Sequence, residues 1–104
     1  MVKNLAELKR ALAAGVPFEV VEHFIHPDYT GQKRVVQKMQ TNGMYTGIYG
    51  DPDAPLSKVN YGKGSWIDFG KATDWTFCNG LCQQHPNGRP IWSIRLLEQE
   101  ANRA

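Results

Sequence analysis

The feature that most constrains this fold is an Asn-Gly pair between two segments rich in β-forming residues. Asn42-Gly43 separates residues 33–41 from residues 44–49. Because Asn and Gly both tolerate positive φ angles, they suit a type I′ turn, whose twist matches that of the strands it joins. The sequence therefore predicts a hairpin with a two-residue loop. The residues on its core face are then Val35, Met39, Met44 and Ile48.

A helix is predicted near the N-terminus, over residues 5–14. Asn4 suits the N-cap, and Glu7 three residues later completes a capping-box pattern. Gly15 and Pro17 end the helix. Because so short a helix is marginal alone, its apolar face must dock on the rest of the chain. That face carries Leu5, Leu8 and Leu12.

Segments rich in β-branched and aromatic residues predict the remaining strands. Asn79-Gly80 indicates a second hairpin turn, and residues 62–65 (GKGS) predict a structural turn. One helix followed by about six short strands indicates an α+β fold: an N-terminal helix packed on a curved antiparallel sheet, or a small, partly open, SH3-like barrel. The remaining predicted strands are 18–25, 64–69, 75–78, 81–84 and 91–97.

Length and composition favour a single domain over residues 1–104. The chain has 104 residues, a usual size for one domain. The sheet is expected within residues 18–97, and residues 98–104 are expected to form a polar tail. Because no long apolar run follows Met1, we expect no signal peptide, no membrane span and a cytoplasmic location.

Cys78, Cys82 and His85 are the candidates for a metal site or for catalysis. Their C-x3-C spacing differs from the knuckles typical of zinc sites, and one half-site alone is visible. A two-residue loop at Asn79-Gly80 would pair Cys78 with Leu81 and turn Cys82 to the opposite face, whereas a three-residue loop would let the cysteines meet. We expect free thiols, no metal and no cofactor.

The sequence shows no recognised catalytic motif. None of the three histidines stands beside a Ser, Cys or Asp in a nucleophile motif. His23, on a strand face, is expected to be a structural histidine. We therefore expect a protein that is not an enzyme.

The face of the central hairpin opposite the core is the candidate binding surface. Exposed tyrosines near lysine and arginine suit protein contacts or base stacking. The formal net charge of +2 neither requires nor excludes a nucleic-acid partner. Loop 50–57 is expected to connect strands or to add to this surface. The candidate surface residues are Lys33, Arg34, Lys38, Gln40, Tyr45, Tyr49, Asp51 and Asp53.

The segments LKRAL, FEVVEHF, GQKRVVQKMQTNGMY, GKGSW and KATDW form a pattern over most of the chain. This pattern resembles the small uncharacterised proteins of phages and mobile elements. The resemblance assigns a role to no residue, but it implies a host-directed inhibitor, such as an antagonist of bacterial defence. We expect a protein-binding module. The alternatives are a small barrel that binds nucleic acid through the basic and tyrosine residues, and a metal-bound or catalytic protein that uses Cys78, Cys82 and His85.

Overall fold

A computed structural model describes residues 2–49 and 61–97, with residues 49 and 61–65 described through their backbone alone. These ranges contain one α-helix and seven strands in one antiparallel sheet, so the predicted α+β class is confirmed. The predicted loop 50–57 and tail 98–104 lie outside them. The elements are α1 (Leu5–Ala13), β1 (Phe18–His23), β2 (Lys33–Met39), β3 (Gly43–Tyr49), β4 (Tyr61–Asp68), β5 (Trp75–Cys78), β6 (Leu81–Gln84) and β7 (Trp92–Leu96).

The sheet is open, has seven strands rather than about six, and is curved. Its strand order is β4-β3-β2-β1-β7-β6-β5, so β4 and β5 are its edges. At about 4.8 Å between neighbours, a flat sheet of this size would hold its edges roughly 29 Å apart. Yet the indole N–H of Trp75 donates to the carbonyl oxygen of Phe69 at 2.7 Å, and Gln84 Nε2 donates to that of Asp68 at 2.9 Å. The sheet therefore curls until the end of β4 approaches β5 and β6.

The helix forms as predicted and packs against the inner face of the curled sheet. The side chain of Asn4 accepts the backbone N–H of Glu7 at 2.9 Å. The Glu7 side chain accepts the backbone N–H of Lys3 at 2.9 Å. In a capping box it would accept the N–H of Asn4 instead. Gly15 follows the helix with a φ angle of +93°. The predicted docking face, which is buried in the core, is Leu5, Leu8 and Leu12.

The hairpin between β2 and β3 exists, but its loop is not the predicted type I′ turn. Met39 pairs with Met44, and residues 40–42 connect the strands. Neither Asn42 nor Gly43 has a positive φ angle. A Cβ atom on Gly43 would collide with the indole ring of Trp66 and lie 2.6 Å from the carbonyl oxygen of Ile67. Glycine is needed here for a close approach and not for a turn.

A register shift in β2 changes which residues face the core. The pairing of β2 with β3 shifts between Val36 and Lys38. Arg34 and Val36 therefore share the inner face with Met39, opposite the buried Met44. Val35 is buried, but it pairs with Gly47, alternates with Arg34 and Val36, and lies outside the hydrophobic cluster beneath α1. The two methionines therefore lie on the predicted core face, Val35 is buried on the other face of β2, and Ile48 is half-buried opposite Arg34.

Two further turn predictions had opposite outcomes. The predicted turn at residues 62–65 is wrong, because these residues extend β4, with Gly62 opposite Ile48. The turn at Asn79-Gly80 is confirmed, since their φ angles of 53° and 82° are those of a type I′ turn. Among the described residues, no helix is long and apolar enough to cross a membrane.

Candidate functional site

The structure divides the predicted binding surface between the two faces of the sheet. Lys38 and Tyr45 pair across β2 and β3 and are both exposed. Gln40 is exposed in the hairpin loop, and Lys33 is half-buried. Arg34 is instead fully buried on the inner face, so it is not part of an exposed surface. The other candidates, for which no side chain is described, are Tyr49, Asp51 and Asp53.

The exposed part of this surface forms a row across three strands, which we call the outer patch. Its residues are Lys38, Gln40, Tyr45 and Trp66. Tyr45 is 49% exposed, and its ring meets that of Trp66 edge-on with centroids 4.8 Å apart. Trp66 lies opposite Tyr45 on β4 and is half-buried. The patch therefore offers an aromatic pair with a cation and an amide beside it.

A second site, which the sequence did not predict, is an open cavity of about 470 Å³. We call it the His23 cleft. It lies between the end of β1 and the segment that joins β4 to β5. The described side chains that give it aromatic and polar character are His23, His26, Tyr29, Trp66, Asp68, Asp74, Gln84 and Trp92.

His23 is held rigidly in this cleft. It is 4% exposed, and its Nδ1 accepts the backbone N–H of His26 at 2.8 Å. Its ring meets Trp92 edge-on at 4.2 Å and Tyr29 edge-on at 5.1 Å between centroids. Because Nδ1 accepts, the neutral ring carries its hydrogen on Nε2.

The Nε2 atom of His23 has no hydrogen-bond partner in the described part of the chain. His23 bonds there through Nδ1 and through its backbone N–H. Every fully buried side-chain nitrogen or oxygen among the described residues has a partner, so Nε2 keeps some exposed surface. Since His23 lines the cleft, this N–H is its available donor.

Arg34 lies on two of the rings that line the cleft. Its guanidinium carbon is 5.0 Å from the centroid of Tyr29 and 5.4 Å from that of Trp92. It donates to Gln32 Oε1 at 2.7 and 3.1 Å and to Thr46 Oγ1 at 3.2 Å. Burial lowers the pKa of Arg34, but a guanidinium remains charged in a protein.

The surroundings keep the imidazole of His23 neutral at pH 7. Burial lowers its pKa most, because it disfavours the charged ring. The nearby His26 and Arg34 lower the pKa further by charge repulsion.

The rim of the cleft supplies hydrogen-bond acceptors. Asp68 accepts the N–H of Gly70 at 2.8 Å through Oδ1, and Asp74 accepts the N–H of Lys71 at 3.0 Å through Oδ2. Each carboxylate keeps its second oxygen for another donor. The amide nitrogen of Gln84 donates to the backbone carbonyl oxygen of Asp68, so its Oε1 atom remains as an acceptor. No Lys or Arg, and no Ser, Thr or Cys, occurs among the described lining residues.

The structure does not bring the metal candidates together. Cys78 pairs with Leu81 and is exposed, while Cys82 faces the core, as the two-residue loop predicted. Both thiols are free, and burial raises the pKa of Cys82 to about 11. His85 follows β6, and its N–H bonds to the carbonyl oxygen of Asp74 at 2.8 Å. Within residues 2–49 and 61–97, no group of three or more His, Cys, Asp or Glu could hold a metal ion.

The cleft could not be predicted from regular strand alternation, because β1 has a register shift between Val20 and Glu22. Simple alternation would place Glu22 on the face of Phe18 and Val20. The shift turns Glu22 out to solvent and brings His23 inside, opposite Trp92. A glutamate at a predicted core position was the available signal, because an unpaired buried carboxylate is costly.

Comparisons with models of protein families, with curated proteins and with solved structures find no match to this chain.

Proposed function

We propose that this protein is a non-enzymatic module that binds another protein through the outer patch. The observation that carries the proposal is the exposure of 49% of Tyr45 within strand β3, between two neighbouring strands. Tyrosine and tryptophan dominate the energetically important positions of protein interfaces. The Tyr45–Trp66 pair would supply such a centre, and Lys38 and Gln40 would form a polar rim around it.

The placement of the basic residues favours a protein partner over nucleic acid. Phosphate recognition draws its affinity from several cations that release counterions together. Of the three basic residues predicted on this surface, Arg34 is buried and Lys33 is half-buried, so Lys38 is the exposed one. One exposed cation on the patch gives little support to binding along a phosphate backbone.

The remaining alternatives draw less support from the geometry. Covalent catalysis needs a nucleophile beside its base, and the described lining of the His23 cleft offers neither hydroxyl nor thiol from Ser, Thr or Cys. Cys78 and Cys82 lie on opposite faces of their hairpin, which gives no shared metal site. Following the resemblance to phage and mobile-element proteins, the partner we propose is a cytoplasmic host protein, such as one that acts in defence.

The test is affinity capture from nuclease-treated lysate of the native host. Changing Tyr45 and Lys38 together to Ala should abolish recovery of one protein partner, because it removes the exposed ring and the cation beside it. The matched control changes Phe24 and Arg89 to Ala, since these are an exposed ring and an exposed cation away from the patch. The control variant should recover the partner at the level of the unchanged protein.

Two outcomes would contradict the proposal. Recovery of the partner by the Tyr45/Lys38 variant would move the interface elsewhere. Recovery of the partner from untreated lysate but not from nuclease-treated lysate would show that nucleic acid bridges the two proteins. Thermal unfolding of both variants checks that neither has lost its fold, because exposed positions should change stability by no more than about 0.5 kcal/mol each.

A further inference from the structure

We propose that the His23 cleft binds a planar amino-substituted nitrogen heterocycle of the nucleoside type, such as adenosine, without phosphate groups. The proposal does not require the protein partner of the outer patch, although Trp66 belongs both to that patch and to the wall of the cleft. It is based on the rings, the hydrogen-bonding groups and the charge of the cleft.

The rings favour a flat ligand. Tyr29, Trp66 and Trp92 all line the cavity, whose volume of about 470 Å³ leaves room for a bicyclic base. Bases stack on aromatic side chains, and each such contact contributes substantially to affinity. An open cavity with three aromatic walls and a few polar groups is typical of small-molecule sites.

The buried side of the cleft presents a hydrogen-bond donor that has no acceptor. His23 is 4% exposed, and the bond from His26 to its Nδ1 fixes both the ring orientation and the position of the hydrogen on Nε2. Because Nε2 has no partner in the described chain and His23 lines the cleft, a ligand atom that accepts a hydrogen bond would satisfy it. A ring nitrogen of a purine is such an atom.

The rim presents acceptors that need donors. Asp68, Asp74 and Gln84 each keep an oxygen that no described backbone group uses. Adenine carries its amino group next to a ring nitrogen, so one edge offers a donor beside an acceptor. The cleft offers the complementary groups, a donor from His23 and acceptors from Asp68, Asp74 and Gln84 in the same lining.

The charge of the described lining disfavours phosphate in the proposed ligand. Two carboxylates line the cavity, and the described lining contains no Lys or Arg. The guanidinium of Arg34 lies on Tyr29 and Trp92 and is not among the described lining residues. A phosphate would therefore be repelled by Asp68 and Asp74, whereas an uncharged nucleoside would not.

The three tryptophans provide a direct readout of binding, because their indole N–H groups give three separate NMR signals. Trp66 and Trp92 line the cleft, while Trp75 is not a lining residue and donates its indole N–H to the carbonyl oxygen of Phe69. Because Trp75 pairs with Gln84, which lines the cleft, adenosine at up to about 10 mM should move the Trp66 and Trp92 signals further than that of Trp75. If neither cleft signal moves, the proposal is wrong.

Related compounds test the chemistry of recognition. Purine riboside, which lacks the amino group, should bind at least about tenfold more weakly, because a carboxylate on the rim loses its donor. Adenosine monophosphate should bind more weakly than adenosine. A single-stranded oligo(dA) should bind no more tightly per base than adenosine does. Equal binding of purine riboside would overturn the proposed recognition. Tighter binding of the monophosphate or of the oligonucleotide would overturn the proposed charge selection.

Variants test the assigned residues. His23→Asn keeps an acceptor for His26, but its amide N–H ends short of the position of Nε2, so it should weaken adenosine binding at least about fivefold. Asp68→Asn with Asp74→Asn keeps the local backbone bonds and should reduce the difference between adenosine and its monophosphate. Glu22→Gln, an exposed carboxylate outside the described lining, is the matched control and should change neither. Unchanged binding in the His23 and aspartate variants, with the Trp75 signal in its native position, would overturn the assignment.

Discussion

The outer patch and the His23 cleft use similar residues in opposite environments. On the outer patch, Tyr45 is 49% exposed and has one ring contact, to Trp66. In the cleft, Tyr29 contacts two histidines, Trp92 and the guanidinium of Arg34. Register shifts in β1 and β2, and not residue type, place His23 and Arg34 on the inner face. A histidine or an arginine in a strand therefore predicts a surface only when the register is known.

The largest expected difference is between the two cations of β2. Arg34→Ala removes hydrogen bonds to Gln32 and Thr46 and leaves a cavity beneath two rings, so it should lower the free energy of unfolding by about 3 kcal/mol. Lys38→Ala, on the exposed face, should change it by no more than about 0.5 kcal/mol. Denaturant unfolding measures both values, and equal losses would contradict the inward position of Arg34.

The two cysteines should differ almost as much in reactivity. At pH 8 the buried Cys82, whose pKa is raised to about 11, is nearly all thiol, while Cys78 is exposed. Alkylation of the folded protein with iodoacetamide should modify Cys78 at least about a hundredfold faster. Mass spectrometry after denaturation should then show two labelled sites. Comparable rates in the folded protein would show that Cys82 is not on the core side of β6.

Substitutions at two glycines should distinguish the cost of a steric overlap from the cost of a strained φ angle. Gly43→Ala forces the Trp66 ring to move and should lower the free energy of unfolding by about 2 kcal/mol, because the added methyl would also overlap the backbone carbonyl oxygen of Ile67. Gly80→Ala meets no atom within 4 Å but has a φ angle of +82°, so it should cost about 1 kcal/mol. The Gly43 variant alone should displace the Trp66 indole signal. A larger loss for Gly80→Ala would reverse this interpretation.

The smallest expected effect is a pH dependence of stability that comes from His23. The pKa of His23 is lowered in the folded protein, so the unfolded chain binds a proton more readily. The contribution of His23 to stability is complete above its ordinary pKa of about 6.5 and is lost as pH falls from there to its lower folded pKa. His23→Asn should remove this component from the curve of unfolding free energy against pH. An identical slope in the variant would show that other groups cause it.

The sequence was sufficient for elements whose determinants are local. Asn4 caps α1, three leucines bury its apolar face, and Asn79-Gly80 forms the predicted turn. That turn has no close neighbours at its glycine, so local preference decides its shape. The Asn42 carbonyl oxygen instead accepts the N–H of Phe69 at 3.0 Å, and Gly43 lies under Trp66, so distant residues set the first turn.

The candidate sites show the same limit. Tyr45 and Lys38 could be placed outside because each is the chain neighbour of an inward-facing methionine, Met44 or Met39. Arg34 and His23 could not be placed, because each lies beyond a register shift that reverses the alternation. The cleft also draws Trp66 and Asp68 from a distant part of the chain, which no local pattern connects to His23.

Hydroxyl-radical footprinting of the protein, alone and bound to its captured partner, tests the central claim most directly. The outer patch predicts that binding protects the ring of Tyr45 from oxidation. Phe24 and Ile25, which are 41% and 58% exposed at the end of β1, should remain as reactive as in the free protein. Protection of Phe24 and Ile25 with Tyr45 unchanged would contradict the account.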